Sequence, residues 1–234
     1  MKKGIIAVSL SLGFATSAPA ITILIDFGRT DLQTAGNWNN VLRNTTVLNS
    51  IMDSDGSTVT GVTLTVTDLF YDIGEPSQGG SEIPSGDAAG FPVSATDDYL
   101  FGHTGAFGGS ADNSVSQFKL SNLDPDTYYT FTFFGSRTAT DNRETRYTVA
   151  GLGSGTALLN VSSNDTEVAR VSLVRPDGSN EILIDVQAGP NNDNGNFFYY
   201  LGAVQIDTRP VPEPTGLAFL AFAGLLGSLR RARR

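Results

Sequence analysis

The chain has 234 residues, 40% of them hydrophobic and 17% charged, with 26 glycines and no cysteine. Disulfide staples, thiol catalysis and thiolate metal sites are therefore excluded. Between Ile21 and Arg209 nine basic residues stand against 23 acidic ones, a charge of −14, and a surface of that sign repels phosphate backbones, which argues against a nucleic-acid partner.

The chain opens with Lys2-Lys3, an apolar stretch from Gly4 to Phe14, and Ala18-Pro19-Ala20. A basic start, a short apolar middle and an Ala-x-Ala end are the parts of a secretory signal peptide, so signal peptidase is expected to cut after Ala20. The apolar stretch is too short to span a bilayer unaided; an uncleaved anchor is the alternative. The sequence thus predicts a signal peptide over 1–20, one domain over 21–209 and a tail over 210–234.

Residues 21–27 read as the first strand. The only tryptophan, Trp38, follows in the polar run Gly36-Asn-Trp-Asn-Asn40. An aromatic ring can stack on a sugar face while neighbouring amides bond hydroxyls, which makes Trp38, Asn39 and Asn40 ligand candidates. The alternative places Trp38 as a plug at one end of the core. Arg137 and Tyr199 are further ligand candidates.

Val62, Leu64 and Val66 alternate with threonines, and Tyr129, Phe131 and Phe133 repeat that period of two. Further strand-like runs lie at 168–174, 182–186 and 197–206, and Pro176-Asp177-Gly178 reads as a hairpin turn between two of them. Eight to ten strands and no amphipathic helix predict an all-β, antiparallel, jelly-roll-like sandwich, followed at the C-terminus by an apolar helix.

Chemistry-bearing residues are sparse. His103, the only histidine, sits in a loop-like stretch. No Gly-x-Ser-x-Gly elbow accompanies it, and one histidine cannot build a multi-histidine zinc site. The run from Gly151 to Gly155 has the wrong spacing for a dinucleotide fingerprint and reads as a hairpin. Asp97, Asp98, Asp124, Asp126 and Glu144 offer carboxylates for glycoside hydrolysis, although nothing in the sequence pairs two of them across a cleft. Asp53-Ser-Asp55-Gly and Asn191-Asn-Asp193-Asn194 offer hard oxygen ligands for calcium, or simple Asx turns; neither completes an EF-hand loop.

Three stretches carry two resemblances within the domain. Leu123-Asp-Pro-Asp-Thr-Tyr-Tyr129 resembles the corner of fibronectin type III sandwiches, where a tyrosine hydroxyl ties the turn to nearby backbone. Ile23-Leu-Ile-Asp-Phe-Gly28 and Leu201-Gly-Ala-Val-Gln-Ile206 resemble the opening and closing strands of galactose-binding-like and malectin-like sandwiches. That resemblance implies neighbouring first and last strands, and carbohydrate as one ligand class among several.

The tail reads Val211-Pro212-Glu213-Pro214, an uncharged run from Thr215 to Leu229, then Arg230, Arg231, Ala232, Arg233 and Arg234. The prolines separate it from the domain. The run is shorter than a comfortable membrane span, but arginines can snorkel to extend it, and a basic cluster holds that end on the cytoplasmic side. The arrangement resembles the PEP-CTERM sorting signal, with Pro212, Glu213 and Pro214 as the motif. The resemblance implies a transient membrane anchor and processing by an exosortase. A permanent tail anchor is the alternative.

Together these features predict an exported cell-surface or matrix protein, non-catalytic and binding extracellular polysaccharide. A structural or adhesive protein binding other proteins, and a secreted hydrolase acting on polysaccharide, are the alternatives.

Overall fold

The computed structural model describes residues 20–59, 61–71, 78–105, 107–109 and 113–212. The expected signal peptide up to residue 19, Glu213, Pro214, the apolar run and the arginines Arg230, Arg231, Arg233 and Arg234 lie outside the described residues. Ala20, the expected cleavage point, is exposed just before the first strand.

The strands are β1 (Thr22–Gly28), β2 (Trp38–Leu42), β3 (Val47–Leu48), β4 (Ile51–Met52), β5 (Thr58–Val59), β6 (Thr63–Asp68), β7 (Leu100–Gly102) and β8 (Val115–Ser121). They continue as β9 (Thr127–Phe134), β10 (Glu144–Ala150), β11 (Ser154–Asn160), β12 (Ala169–Val174), β13 (Ile182–Ala188), β14 (Tyr199–Leu201) and β15 (Ala203–Pro210). Two 3₁₀ turns, Gly86–Ala88 and Val93–Ala95, are the only helical pieces among the described residues.

A five-stranded sheet, ordered β12-β9-β15-β1-β2, faces a six-stranded sheet, ordered β11-β10-β13-β8-β6-β3. The chain changes sheet between β8 and β9, between β9 and β10, and again on both sides of β12, which is the jelly-roll style of connection. Pairing is antiparallel except that β2 runs parallel to β1. The first and last strands are neighbours, with Ile23 opposite Ile206 and Ile25 opposite Val204.

Alternation builds the core. Ile23, Ile25 and Phe27 of β1 and Val204 and Ile206 of β15 point inward toward Phe118 and Leu120 of β8 and Ile184 and Val186 of β13. Rings meet across the two layers: Phe133 stacks on Tyr147 at 4.6 Å, and Phe27 tilts onto Phe118 at 4.9 Å. The tyrosine corner forms as its sequence suggests. The Asp124 amide donates to the Tyr129 hydroxyl at 3.0 Å, and the Asp124 carboxylate caps the turn by accepting from the Asp126 amide.

The single strand expected over 197–206 is two strands in different sheets. β14 pairs with β7, whereas β15 joins β1 and β9. Gly202 is the break. Its amide donates to the Phe134 carbonyl and its carbonyl accepts from the Phe27 amide, so the backbone is pulled inward between the two pieces. Tyr200 consequently belongs to a different sheet from Val204 and Ile206.

Candidate functional site

The β7–β14 ribbon lies at one end of the sandwich, and its two faces differ. Tyr199 opposes Gly102 and Tyr200 opposes Phe101. Tyr199 turns inward, where its hydroxyl is held by Ser116 Oγ at 2.9 Å and the Asn113 carbonyl at 2.8 Å. Its ring rests on Gly102; a Cβ there would stand 2.1 Å from the tyrosine oxygen, so the ribbon needs glycine at that position. Phe101, Phe198 and Tyr200 meet one another, and Phe101 and Tyr200 also meet Tyr99.

These rings line a cleft of about 170 Å³ whose remaining walls are Phe107, Arg137 and Arg143. Tyr99 meets Tyr200 edge-on at 4.9 Å, Phe101 meets Phe198 edge-on at 5.7 Å, and Phe107 meets Phe198 edge-on at 4.7 Å. Phe107 is 37% exposed, so an aromatic ring stands at the mouth. The Arg143 guanidinium lies 5.5 Å from the Phe198 ring centre, and that of Arg137 lies 5.8 Å from the Tyr99 ring centre. Two of the domain's nine basic residues thus converge on one aromatic cleft in a strongly acidic domain.

The surroundings hold these groups in place. Tyr147 donates to the Tyr200 carbonyl at 2.8 Å, and the Tyr200 amide donates to Thr145 Oγ1, which fastens β14 to β10. Arg143 donates from Nε to Asp141 at 2.8 Å and from Nη1 to the Tyr200 hydroxyl. Arg137 donates to the Gln78 carbonyl at 3.2 Å. Burial pushes the Tyr200 phenol up to about 12, with the neighbouring Arg143 charge pulling the other way. The phenol therefore remains a neutral hydroxyl at physiological pH.

The asparagine-rich loop before β14 is scaffold for this cleft. Asn192 donates to the carbonyls of Glu144 and Phe198, and Asn194 donates to Asp141. Glu144 in turn accepts from the backbone and side-chain amides of Asn191. At the other loop considered for calcium, Asp53 Oδ1 accepts from the amides of Asp55 and Ser57, an Asx-type turn. Among the described residues no three histidine or acidic side chains are grouped to hold a metal ion.

The five residues proposed from sequence do not form one site. Arg137 lines the cleft, but Tyr199 is one residue out of phase with it and is buried on the core side. Trp38, Asn39 and Asn40 belong to β2 at the edge of the five-stranded sheet, not to a loop. The Trp38 ring packs 6.3 Å from Phe91 on an outer cluster built from Ala88, Phe91, Ala95, Phe134 and Ala203. Asn39 bridges the Leu24 and Met52 backbones, and Asn40 binds the Thr34 backbone through both amide atoms. Their polar groups are committed to structure. The cleft residues that sequence reasoning missed are Tyr99, Phe101, Phe107, Arg143, Phe198 and Tyr200. The aromatic density of the runs around Phe101 and Phe198 was the available signal.

The remaining candidates lie elsewhere. His103 is buried among Tyr71, Phe107 and Phe198, with Nδ1 2.5 Å from the Gly105 carbonyl. Asp124 and Asp126 sit in the tyrosine corner. Asp98 is buried against Gly28, whose missing side chain makes room for it, and accepts from the Arg29 amide at 2.6 Å. Asp26, also buried, accepts from the Thr34 amide at 3.0 Å. Burial pushes Asp26 up to about 6 and Asp98 up to about 7; mutual repulsion adds to the Asp98 shift. Asp97, beside them, is raised for the same leading reason.

No family model matches the chain, and no curated protein does. Similar solved structures include two that each match over 64% of this chain and 98% of their own. One is titled CBM35 from Cellvibrio japonicus Abf62, at 12% identity and a TM-score of 0.29. The other is a family 35 carbohydrate binding module from an environmental isolate, at 18% identity and a TM-score of 0.28.

Proposed function

We propose that the domain is a non-catalytic carbohydrate-binding module whose ligand seats in the cleft between Phe107, Phe198, Tyr200, Arg137 and Arg143. The carrying observation is the convergence of several aromatic rings and two guanidiniums on one opening. Sugar rings offer apolar C–H faces to aromatic side chains, while guanidinium forks donate to ring substituents in fixed directions.

The sequence supports the rest of the reading. The chain is exported, held transiently by its tail, and sorted at Pro212-Glu213-Pro214 by an exosortase to the cell surface or matrix, where it meets extracellular polysaccharide. Intact-mass measurement of the mature protein checks this: the expected species lacks 1–20 and the tail beyond the motif.

A glycan array followed by titration calorimetry tests the binding site. Phe107→Ala and Arg137→Ala are expected to weaken binding by about tenfold or more, roughly 1.4 kcal/mol each, while the domain still folds cooperatively. Glycan binding no stronger than that of an unrelated acidic protein would remove the proposal.

A further inference from the structure

We propose that the opposite end of the sandwich is a lipid-facing surface, on which Leu152 and Leu173 seat the domain against a zwitterionic bilayer while the tail anchors it. The inference rests on the membrane-anchor reading of the tail and adds a second contact, made by the folded domain itself.

The geometry begins where the described chain ends. β15 finishes at Pro210, and the Val211 amide donates to the Asp126 carbonyl at 2.8 Å, the last tie to the domain among the described residues. Only residues 212–214 separate that tie from the uncharged run beginning at Thr215. The four residues from Val211 to Pro214 span at most about 14 Å even when fully extended. A membrane entered at Thr215 therefore lies within about 14 Å of the Val211 amide.

The surface around it mixes exposed apolar groups with charged ones. Arg175 donates to the Pro125 carbonyl and reaches the Asp126 carboxylate at 3.5 Å. The Arg175 carbonyl accepts from the Leu152 amide at 2.9 Å, so Leu152, at the tip of the β10–β11 hairpin, adjoins the exit point. Leu152 is 69% exposed and Leu173 is 50% exposed. Together with Tyr128, Val174 and Arg175 they line an open groove of about 320 Å³. Leucines flanked by a tyrosine and an arginine are what an interfacial surface uses: apolar groups enter the acyl boundary, the phenol stays at headgroup depth and the guanidinium snorkels outward. Asp124, Asp126 and Asp177 stand nearby, so anionic lipids would be repelled and a zwitterionic surface fits better.

The consequence reaches the cleft. β9 runs from Thr127, beside the exit, to Phe134, just before Arg137, and its eight residues cover about 24 Å. A domain seated on Leu152 and Leu173 holds the aromatic cleft at its far end, away from the lipid.

The chain has no cysteine, so single-cysteine variants accept one label. Full-length Leu152→Cys, Leu173→Cys and, at the cleft end, the exposed Phe197→Cys would each carry an environment-sensitive fluorophore. Each would be reconstituted with phosphatidylcholine–phosphatidylethanolamine vesicles containing a spin-labelled lipid quencher. Labels at 152 and 173 are expected to lose about half their emission, because interfacial apolar groups sit roughly 5–10 Å deep, while the label at 197 is unaffected. Flotation with the vesicles but equal quenching at all three positions overturns this inference and leaves the tail anchor standing. Failure to float overturns both. A blue-shifted but unquenched label at 152 shows protein rather than lipid in the groove, and overturns the inference as well.

Discussion

Arg143 reaches Tyr200 twice: its Nη1 donates to the phenolic oxygen, and its guanidinium carbon lies 5.7 Å from the ring centre. The same guanidinium is braced from behind by Asp141 through Nε at 2.8 Å. Hydrogen bonds from Nε and Nη1 to two different partners need a fork, which lysine cannot supply. Arg143→Lys is therefore expected to lose as much glycan affinity as Arg143→Ala, about tenfold or more. Calorimetry on both variants decides it. A lysine variant with native affinity would show that only the positive charge matters.

The buried carboxyls make stability depend on pH in an unusual direction. Asp26 and Asp98 titrate at about 6 and about 7 in the fold, above the ordinary 3.8, chiefly because burial penalises their charged forms. A folded-state value above the unfolded one means the fold binds the proton more tightly. Their contribution is fully present below about pH 4 and is lost as pH rises through 6 and 7. Asp97 faces both carboxyls, and Arg29 offsets part of the repulsion at Asp98. Asp98→Asn keeps a carbonyl oxygen to accept from the Arg29 amide and removes the charge. Its melting temperature should exceed that of the parent at pH 7.5 and approach it at pH 4. Equal differences at both pH values would mean that Asp98 is not protonated on folding.

The tyrosine corner offers a test confined to one atom. The Asp124 amide has the Tyr129 hydroxyl as its partner at 3.0 Å, and the Tyr129 ring is buried. Tyr129→Phe leaves that amide unpaired in a turn whose other amides are satisfied. Loss of one such bond costs about 1–2 kcal/mol, readable by urea denaturation. An unchanged midpoint would show that water replaces the hydroxyl.

The corner was legible in sequence because it is local: seven consecutive residues hold the turn, its cap and its tyrosine. The same holds for the alternating threonines of β6 and β9; the pairing of β1 with β15, far apart in sequence, was expected only from their resemblance to the opening and closing strands of galactose-binding-like sandwiches. The cleft was not legible, because Phe101 and Tyr200 are brought together only by pairing of two three-residue strands. Strands that short leave no period to detect, and Gly202 hides the break between β14 and β15 within one continuous apolar run. Trp38 looked ligand-like because its sequence neighbours are polar. The cluster that covers it comes from around residues 88–95 and from β9 and β15. Asp26 and Asp98 were hidden in the same way, since the burial of each depends on segments far along the chain.

Leu173 combines exposure with strain. Its φ is +59°, and the β12–β9 register slips between Val171 and Val174, so it occupies a bulge in the left-handed region. That conformation costs a leucine about 1–2 kcal/mol, against roughly 0.5–1 kcal/mol of extra chain entropy for a glycine. Leu173→Gly should therefore leave stability unchanged or raise it by up to about 1.5 kcal/mol, at roughly 2–4 °C in melting temperature per kcal/mol for a domain of this size. Leu173→Ala keeps the strain and should show no gain. Both variants remove a large apolar group from the end where the tail leaves, so both should weaken lipid quenching of a label at residue 152. A glycine variant that melts lower than the alanine variant would mean that the bulge is held by something other than backbone geometry. The leucine would then have to be assigned to packing against Val174 and Tyr128 rather than to a surface kept exposed at a conformational cost.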